Sequence, residues 1–277
     1  MDASLPPGLY IVATPIGNLS DLSPRAAETL RRADRILAED KRVTAKLLAH
    51  TGATAPMSTY HDHSSEADRE AILSLLATQA VALVSDAGTP LISDPGYKLV
   101  RAARAAGHIV STIPGPCAAI AALTVSGLPT DRFLFAGFLP AKAKARADAI
   151  AEIAGVRATL VFYETGPRLG DCLQALAAGL GHREAAVARE ISKLHEECVT
   201  GALDELAGRF ADAPPKGEIV VVVGPPAARV AASDDELDEA LRSAMADLSP
   251  SRAAAQVAER LGVPRKRAYA RALELAR

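Results

Sequence analysis

The chain has 277 residues, 49% of them hydrophobic, and a net charge near −2. That length and composition can bury a large core and suggest two domains, while the near-neutral charge excludes global attraction to nucleic acid, so any RNA contact must come from local patches. Three Cys without paired spacing argue against a disulfide framework and a zinc site. With no basic-then-apolar leader pattern and no apolar stretch of bilayer length, the expectation is a cytoplasmic protein away from membranes.

In chain order, apolar runs at 9–13, 35–38, 81–84 and 109–113 read as strands, and helical patterns cover 24–32, 44–50, 66–77 and 97–106. Alternation of this kind predicts the α/β class, with a mainly parallel sheet covered by helices. After the third run comes Ser85-Asp86-Ala87-Gly88-Thr89-Pro90-Leu91-Ile92-Ser93-Asp94-Pro95-Gly96, more punctuated than a plain turn requires. It is a constrained loop at the carboxyl end of a strand, where open α/β sheets bind ligands. Asp94, before Pro95, is placed to cap the following helix. Pro114-Gly115-Pro116-Cys117 closes the next run and opens an Ala-rich helix over 118–125. Gly115 lets the backbone approach a ligand there, and the flanking prolines fix the path. Neither G-x-G-x-x-G nor G-x-x-x-x-G-K-[ST] occurs, which argues against a polyphosphate ligand.

The second half reads as strands at 133–139, 159–163, 185–190 and 219–223, with helices over 146–153 and 169–177. A boundary near Ser126-Gly127-Leu128-Pro129 predicts one α/β domain over 1–126 and another over 127–226, with a cofactor in the cleft between them. Pro225-Pro226-Ala227-Ala228 reads as a linker to a region over 233–277. There Asp234, Asp235, Glu236, Asp238, Glu239 and Asp247 precede Arg252, Arg260, Arg265, Lys266, Arg267, Arg271 and Arg277. Ser249-Pro250 caps one helix, with Ala254, Val257 and Leu261 on its apolar side; Gly262 ends it, and a second starts at Pro264. The pair looks like a helix-turn-helix, with Arg265, Lys266 and Arg267 as candidate phosphate contacts; a charged, solvated face is the alternative.

Several blocks together carry a family resemblance. They are Thr14-Pro15-Ile16-Gly17-Asn18-Leu19 with Asp21, Tyr60-His61-Asp62-His63, the Ser85–Gly96 loop, Pro114-Gly115-Pro116-Cys117, and Gly137-Phe138-Leu139-Pro140 with Lys142 and Arg146. Phe162-Tyr163-Glu164, Arg189-Glu190-Ile191-Ser192-Lys193-Leu194-His195-Glu196-Glu197 and Lys216-Gly217-Glu218-Ile219 complete the set. The chain resembles the tetrapyrrole-methylase superfamily of S-adenosylmethionine-dependent methyltransferases, and within it the branch that methylates a cytidine 2′-hydroxyl in 16S ribosomal RNA. The resemblance implies a two-domain α/β fold with an interdomain cofactor cleft and a small helical appendage. It also implies a homodimer, action in the decoding region of the small ribosomal subunit, and S-adenosylmethionine held largely by backbone groups. By match to the family's loops, its contacts are Asp86, Ala87, Gly88, Ile92, Ser93, Pro116, Cys117, Leu139, Tyr163, Glu218 and Ile219. Ile191-Ser192 stands where the family more often has Leu-Thr, and keeps the hydroxyl.

A ribose 2′-hydroxyl is a weak nucleophile, so such an enzyme should supply a base or strong hydrogen-bond acceptor in a water-poor cleft. No metal is chemically required. The dense ionisable run makes Glu190 and Lys193 the leading catalytic candidates, followed by His195; a solvated strand end with incidental ion pairs is the alternative. Asn18 and Asp21 either position the ribose or simply form a turn. His61 and His63 would share a face if 60–63 is a strand, for RNA or a partner copy rather than a metal; a plain polar strand end is the alternative. Lys142, Lys144 and Arg146 are candidate phosphate contacts or a solvated helix face, and Tyr60, Phe138 and Tyr163 are the candidate stacking platforms. Two rival readings remain: a superfamily methylase acting on a corrinoid precursor or diphthine, and a ligand-sensing helix-turn-helix regulator, which the scarcity of Asn and Gln for base reading disfavours.

Overall fold

The computed structural model describes residues 4–61, 63–211, 214–227 and 233–276. Asp62, Ala228 and Arg277, named above, lie outside them. Two compact units are present, Met1–Pro226 and Ala227–Arg277.

The first unit opens with β1 (Gly8–Val12), α1 (Pro24–Arg32), β2 (Arg35–Ala38), α2 (Lys41–Thr51), β3 (Met57–Thr59), α3 (Glu66–Leu76), β4 (Ala80–Leu83), α4 (Tyr97–Ala105), β5 (Val110–Ile113) and α5 (Ala118–Val125). The strands form one sheet in the order β3-β2-β4-β1-β5, every pair parallel. Both faces are covered, which is why its strands read as continuous apolar runs. Tyr10, Val12, Ile36 and Ala82 pack on one face with Leu30, Leu47 and Leu48 of α1 and α2. Leu9, Ile11, Leu37, Val81 and Leu83 pack on the other with Ile72, Leu76, Leu99 and Ala103 of α3 and α4. Because β1 lies between β4 and β5, the loops following these three strands emerge side by side at the carboxyl edge.

A second sheet follows from β6 (Phe133–Phe138), α6 (Ala143–Ile153), β7 (Thr159–Thr165), α7 (Gly166–Leu180), β8 (Glu184–Arg189), β9 (Glu197–Ala202), α8 (Leu203–Arg209) and β10 (Glu218–Val223). Its order is β6-β7-β10-β8-β9; only β6 and β7 run parallel, and the other pairs are antiparallel. The mainly parallel expectation, drawn from the four runs of the first half, holds for the first sheet; in the second, β10 returns between β7 and β8 and makes most of the pairing antiparallel. Helices α6, α7 and α8 cover one face through Ile150, Leu169, Leu173, Leu176, Leu203 and Leu206. The other face packs against Ala119, Ala122 and Leu123 of α5, which carries the chain from the first sheet to the second.

The second unit contains α9 (Asp234–Met245), α10 (Pro250–Leu261) and α11 (Arg265–Leu275). Leu237, Leu241, Ala254, Val257, Ala268 and Ala272 form its core. Ser249 occupies the N-cap position of α10 but makes no capping hydrogen bond; Gly262, at φ 63°, ends the helix in the left-handed region. Helix α9 occupies what reads in the sequence only as an acidic stretch; Ser233 and Glu236 form its capping box.

Candidate active site

Backbone geometry knits the three carboxyl-edge loops together. Thr14 and Gly88 exchange N–H···O bonds of 2.8 and 3.1 Å, and the Thr89 hydroxyl donates to the Pro116 carbonyl at 2.9 Å. Leu91 and Ser93 adopt φ values of 75° and 62°, where side chains are rarely tolerated, and Gly96 lies at 135°. The chain thus reverses before α4, which starts from Gly96 with no side-chain cap. Asp94 is therefore not the capping residue that the sequence suggests; it lines a cavity instead.

That cavity, of about 400 Å³, brings together Asp86, Ala87, Gly88, Ile92 and Ser93 with Tyr163, Glu218 and Ile219. Glu39, Asp94, Phe138, Glu164 and Ile191 join them, none of which the sequence reading assigned to the cofactor. Pro116, Cys117 and Leu139 stand outside its lining. The Pro116 carbonyl braces Thr89, Cys117 is the cap position of α5, and Leu139 is buried while its carbonyl accepts from Arg168. Arg168 is held in turn by Glu164 at 3.2 Å. The Tyr163 hydroxyl accepts from the Ala119 N–H at 3.2 Å, and burial pushes its pKa up. Among the described residues, the cavity is lined by carboxylates, hydroxyl-bearing side chains and apolar groups without a Lys, Arg or His. Such a lining repels a polyphosphate and suits a cationic cofactor carrying a sulfonium and an ammonium. S-adenosylmethionine fits that chemistry, and the volume lies within the usual range of roughly 300–1,000 Å³ for small-molecule sites.

The ionisable run after β8 separates into distinct roles. Arg189 and Glu197 pair at 3.0 Å across the β8–β9 ladder. Glu190, at φ 50°, accepts from the Glu218 N–H at 3.0 Å and from the Lys193 ammonium at 2.9 Å. Lys193 also reaches the Glu218 carboxylate at 2.9 Å. Burial opposes the Lys193 charge, but its hydrogen bonds to Glu218 and Glu190 outweigh that and raise its pKa. The Glu218 N–H, then Lys193, hold the Glu190 carboxyl below its usual range. Glu196 accepts from the Ser192 N–H at 2.6 Å and closes the turn, while His195 is exposed. Asn18 accepts from the Ser20 N–H at 3.0 Å, the turn-forming role, and Asp21 accepts from the Ser192 hydroxyl, joining the loop after β1 to the loop after β8.

Beside the first cavity lies another of about 350 Å³, lined by Thr14–Gly17 and Leu19 after β1, by Val43, Thr44, Lys46 and Leu47 of α2, and by Lys193. Ile16, Asp86, Ala87 and Glu218 border both. Sequence reasoning missed the α2 residues. The only signal was strand order: β2 ends beside β4, which places α2 at the site, and strand order is not written in a single sequence.

Other candidates lie apart. Lys142 is the exposed cap position of α6, and Lys144 pairs with Asp148 at 2.8 Å. Arg146 corrects the basic-face expectation: it is only 9% exposed, donates to the Ala141 carbonyl at 3.2 Å and turns toward Asp171. Its guanidinium packs inward and is not offered to phosphate. Tyr60 is buried in the first sheet's core and is no stacking platform. β3 ends at Thr59, so neither Tyr60 nor His61 belongs to a strand, although the exposed His61 and His63 rings lie 6.1 Å apart. In the second unit Arg265 and Lys266 are exposed, whereas Arg267 pairs with Asp234 at 2.8 Å.

Two sheets joined by a cofactor-sized cleft of glycine- and proline-rich loops define a methylase-type fold. A family model described as Tetrapyrrole (Corrin/Porphyrin) Methylases matches residues 8–207, and one described as RsmI C-terminal HTH domain matches 231–276. The chain belongs to the tetrapyrrole methylase family. It is 56% identical over 271 residues to Ribosomal RNA small subunit methyltransferase I of Erythrobacter litoralis (strain HTCC2594), covering 98% of this chain and 96% of that one. It is 48% identical over 274 residues to the protein of the same name from Mesorhizobium japonicum, covering 98% and 93%. Among solved structures, uroporphyrin-III C-methyl transferase from Thermus thermophilus complexed with S-adenyl homocysteine superposes with a TM-score of 0.53 at 22% identity, covering 78% of this chain and 97% of that one. That likeness concerns the fold alone.

Proposed function

We propose that this protein transfers a methyl group from S-adenosylmethionine to the 2′-hydroxyl of a cytidine ribose in the 16S RNA of the small ribosomal subunit. The observation that carries this reading is the likeness, across nearly the whole chain, to proteins named Ribosomal RNA small subunit methyltransferase I. The acid-lined cavity supports it independently, because its chemistry fits the cofactor. Asp86 to Gly88, Ile92 and Ser93 would hold the cofactor from the first sheet, and Tyr163, Glu218 and Ile219 from the second. When bound, the cofactor supplies an activated methyl group together with its own leaving group.

The protein's part is to orient the hydroxyl and exclude water. Lys193, kept protonated by two carboxylates, serves as a cationic donor rather than a base. Glu218 borders both cavities and offers a carboxylate to the hydroxyl, while Glu190 fixes Lys193 without lining either. Asp21, through Ser192, positions the two loops. Lys142, Arg265 and Lys266 are exposed cations for the RNA backbone. The homodimer of the family has support in α5, which exposes the large apolar side chains of Ile120 and Val125. Rival acceptors, a corrinoid precursor or diphthine, leave the second unit without a task.

The test is to incubate the protein with S-adenosylmethionine labelled in its methyl group and small subunits from cells lacking this protein, then digest and analyse the RNA by mass. Label on a cytidine ribose is expected. Measurable cofactor binding without label in RNA would move the acceptor to a small molecule or a protein.

A further inference from the structure

The cavity beneath α2 differs in chemistry from its acid-lined neighbour. It contains Lys46 and Lys193 besides the shared Asp86 and Glu218. Leu19 and Val43, 46% and 40% exposed, stand at it as large apolar groups turned partly to solvent. Thr44 is buried there, and its hydroxyl has no hydrogen-bond partner among the described residues. Lys193 reaches the cavity only because Gly17 lacks a side chain; a Cβ there would overlap the lysine stem.

Resting on the ribose-methylation reading, we propose that this cavity receives the acceptor nucleotide. Its base lies against Leu19 and Val43, its ribose faces Lys193 and Glu218, and its phosphate meets Lys46. Two physical requirements converge on this cavity. In-line methyl transfer needs the nucleophile in contact with the cofactor, so the acceptor site must share a wall with the cofactor cavity, and this one does through Ile16, Asp86, Ala87 and Glu218. A nucleotide also brings a phosphate and a flat apolar base, which match one exposed lysine and two exposed apolar side chains. A volume of about 350 Å³ accommodates one nucleoside rather than a run of RNA. The target nucleotide must then be turned out from its neighbours.

The test uses Val43→Glu and Lys46→Glu, both at exposed helix positions where folding is insensitive to the change. Cofactor affinity is measured by calorimetry, and methyl transfer with small subunits from cells lacking the protein. A cytidine-containing RNA carrying 5-iodocytidine at the target position is also photocrosslinked to the wild-type protein. The expected result is cofactor affinity within about twofold of wild type and kcat/KM lowered by on the order of tenfold or more in each variant, the scale of removing one charged interaction. Crosslinks should fall within 14–19 or 43–47. Cofactor affinity falling in step with transfer would assign the cavity to the cofactor and overturn the proposal. Transfer at the wild-type rate by both variants, or crosslinks confined elsewhere, would overturn it while leaving ribose methylation intact. A wild-type protein that labels no RNA would overturn the functional reading and this proposal together.

Discussion

Lys193 is held by three neighbours, two carboxylates that carry its charge and a glycine that makes room for its stem. Gly17 lies at φ 150°, which few side chains adopt. Gly17→Ala should therefore cost about 1–3 kcal/mol in a urea titration through backbone strain, and should displace the ammonium. Methyl transfer is expected to fall more than cofactor affinity, and equal losses in both would mean only that the loop had unfolded. Glu190→Gln separates charge from shape at the same point. The amide still accepts from the Glu218 N–H but no longer balances Lys193. The rate should drop by on the order of tenfold, with cofactor affinity within about twofold, since Glu190 borders neither cavity. Normal turnover would remove Glu190 from the machinery. The pH behaviour of the pair follows from the two shifts. The Glu190 pKa is lowered, so its stabilisation is complete above its usual 4.5 and is lost as pH falls through the depressed value. The Lys193 pKa is raised, so its stabilisation is complete below 10.5 and is lost as pH rises through the raised value. Neither group titrates between those limits, and a rate profile recorded from pH 6 to 9 should contain no inflection from either.

The elements differ in how openly the sequence wrote them. Strands β1, β2, β4 and β10 are buried on both faces, so each appears as an unbroken apolar run. β3 has three residues, and β9, ECVTGA, is an edge strand with Glu197 and Thr200 exposed, so neither has a run to find. The direction of β10 was equally hidden. A strand–helix–strand passage from β7 through α7 to β8 resembles a parallel crossover, and only the return of β10 between them makes the pairing antiparallel. The loop from Ser85 to Gly96 was legible because Gly and Pro mark backbone constraint directly, whereas Lys46 and Val43 were not, because an exposed helix residue acquires meaning only from what packs beside it. In the second unit the charge segregation was visible and its purpose was not. Asp238 of α9 accepts from Arg271 of α11 at 2.6 and 2.8 Å, and Arg242 lies 3.5 Å away. The acids and bases are thus partly spent on each other. Arg271 holds the Asp238 carboxyl below its usual 3.8, so this contribution is complete above that value and is lost as pH falls through the depressed one. Asp238→Asn should accelerate hydrogen exchange in α9 and α11 at neutral pH and leave exchange in β1 and β4 unchanged. Unaltered exchange in the three helices would show that the pair contributes nothing to their stability.

At the scale of the whole molecule, the two cavities and the exposed bases of the C-terminal helices fall on different units. Every residue bordering the two cavities belongs to the first unit, Met1–Pro226. The second unit exposes Arg252, Arg260, Arg265 and Lys266, while the chain as a whole has a net charge near −2. With so little overall charge, long-range attraction to a phosphate backbone must come from such local clusters. A chain ending at Ala227 should accordingly keep its cofactor affinity within about twofold, because no cavity residue is removed. Its transfer to small subunits should fail mainly through a raised KM, with kcat at saturating substrate less affected, since the acceptor cavity would be intact but seldom reached. The salt dependence separates this from a general loss of fold. The slope of log(kcat/KM) against log[salt] should shallow by roughly 0.7–0.9 for each phosphate that the missing cations no longer neutralise. An unchanged slope with reduced activity would mean that the helices support the first unit rather than hold RNA. Full activity would mean that the RNA is recognised entirely by the first unit, with Lys142 and Lys46 as the cations to change next.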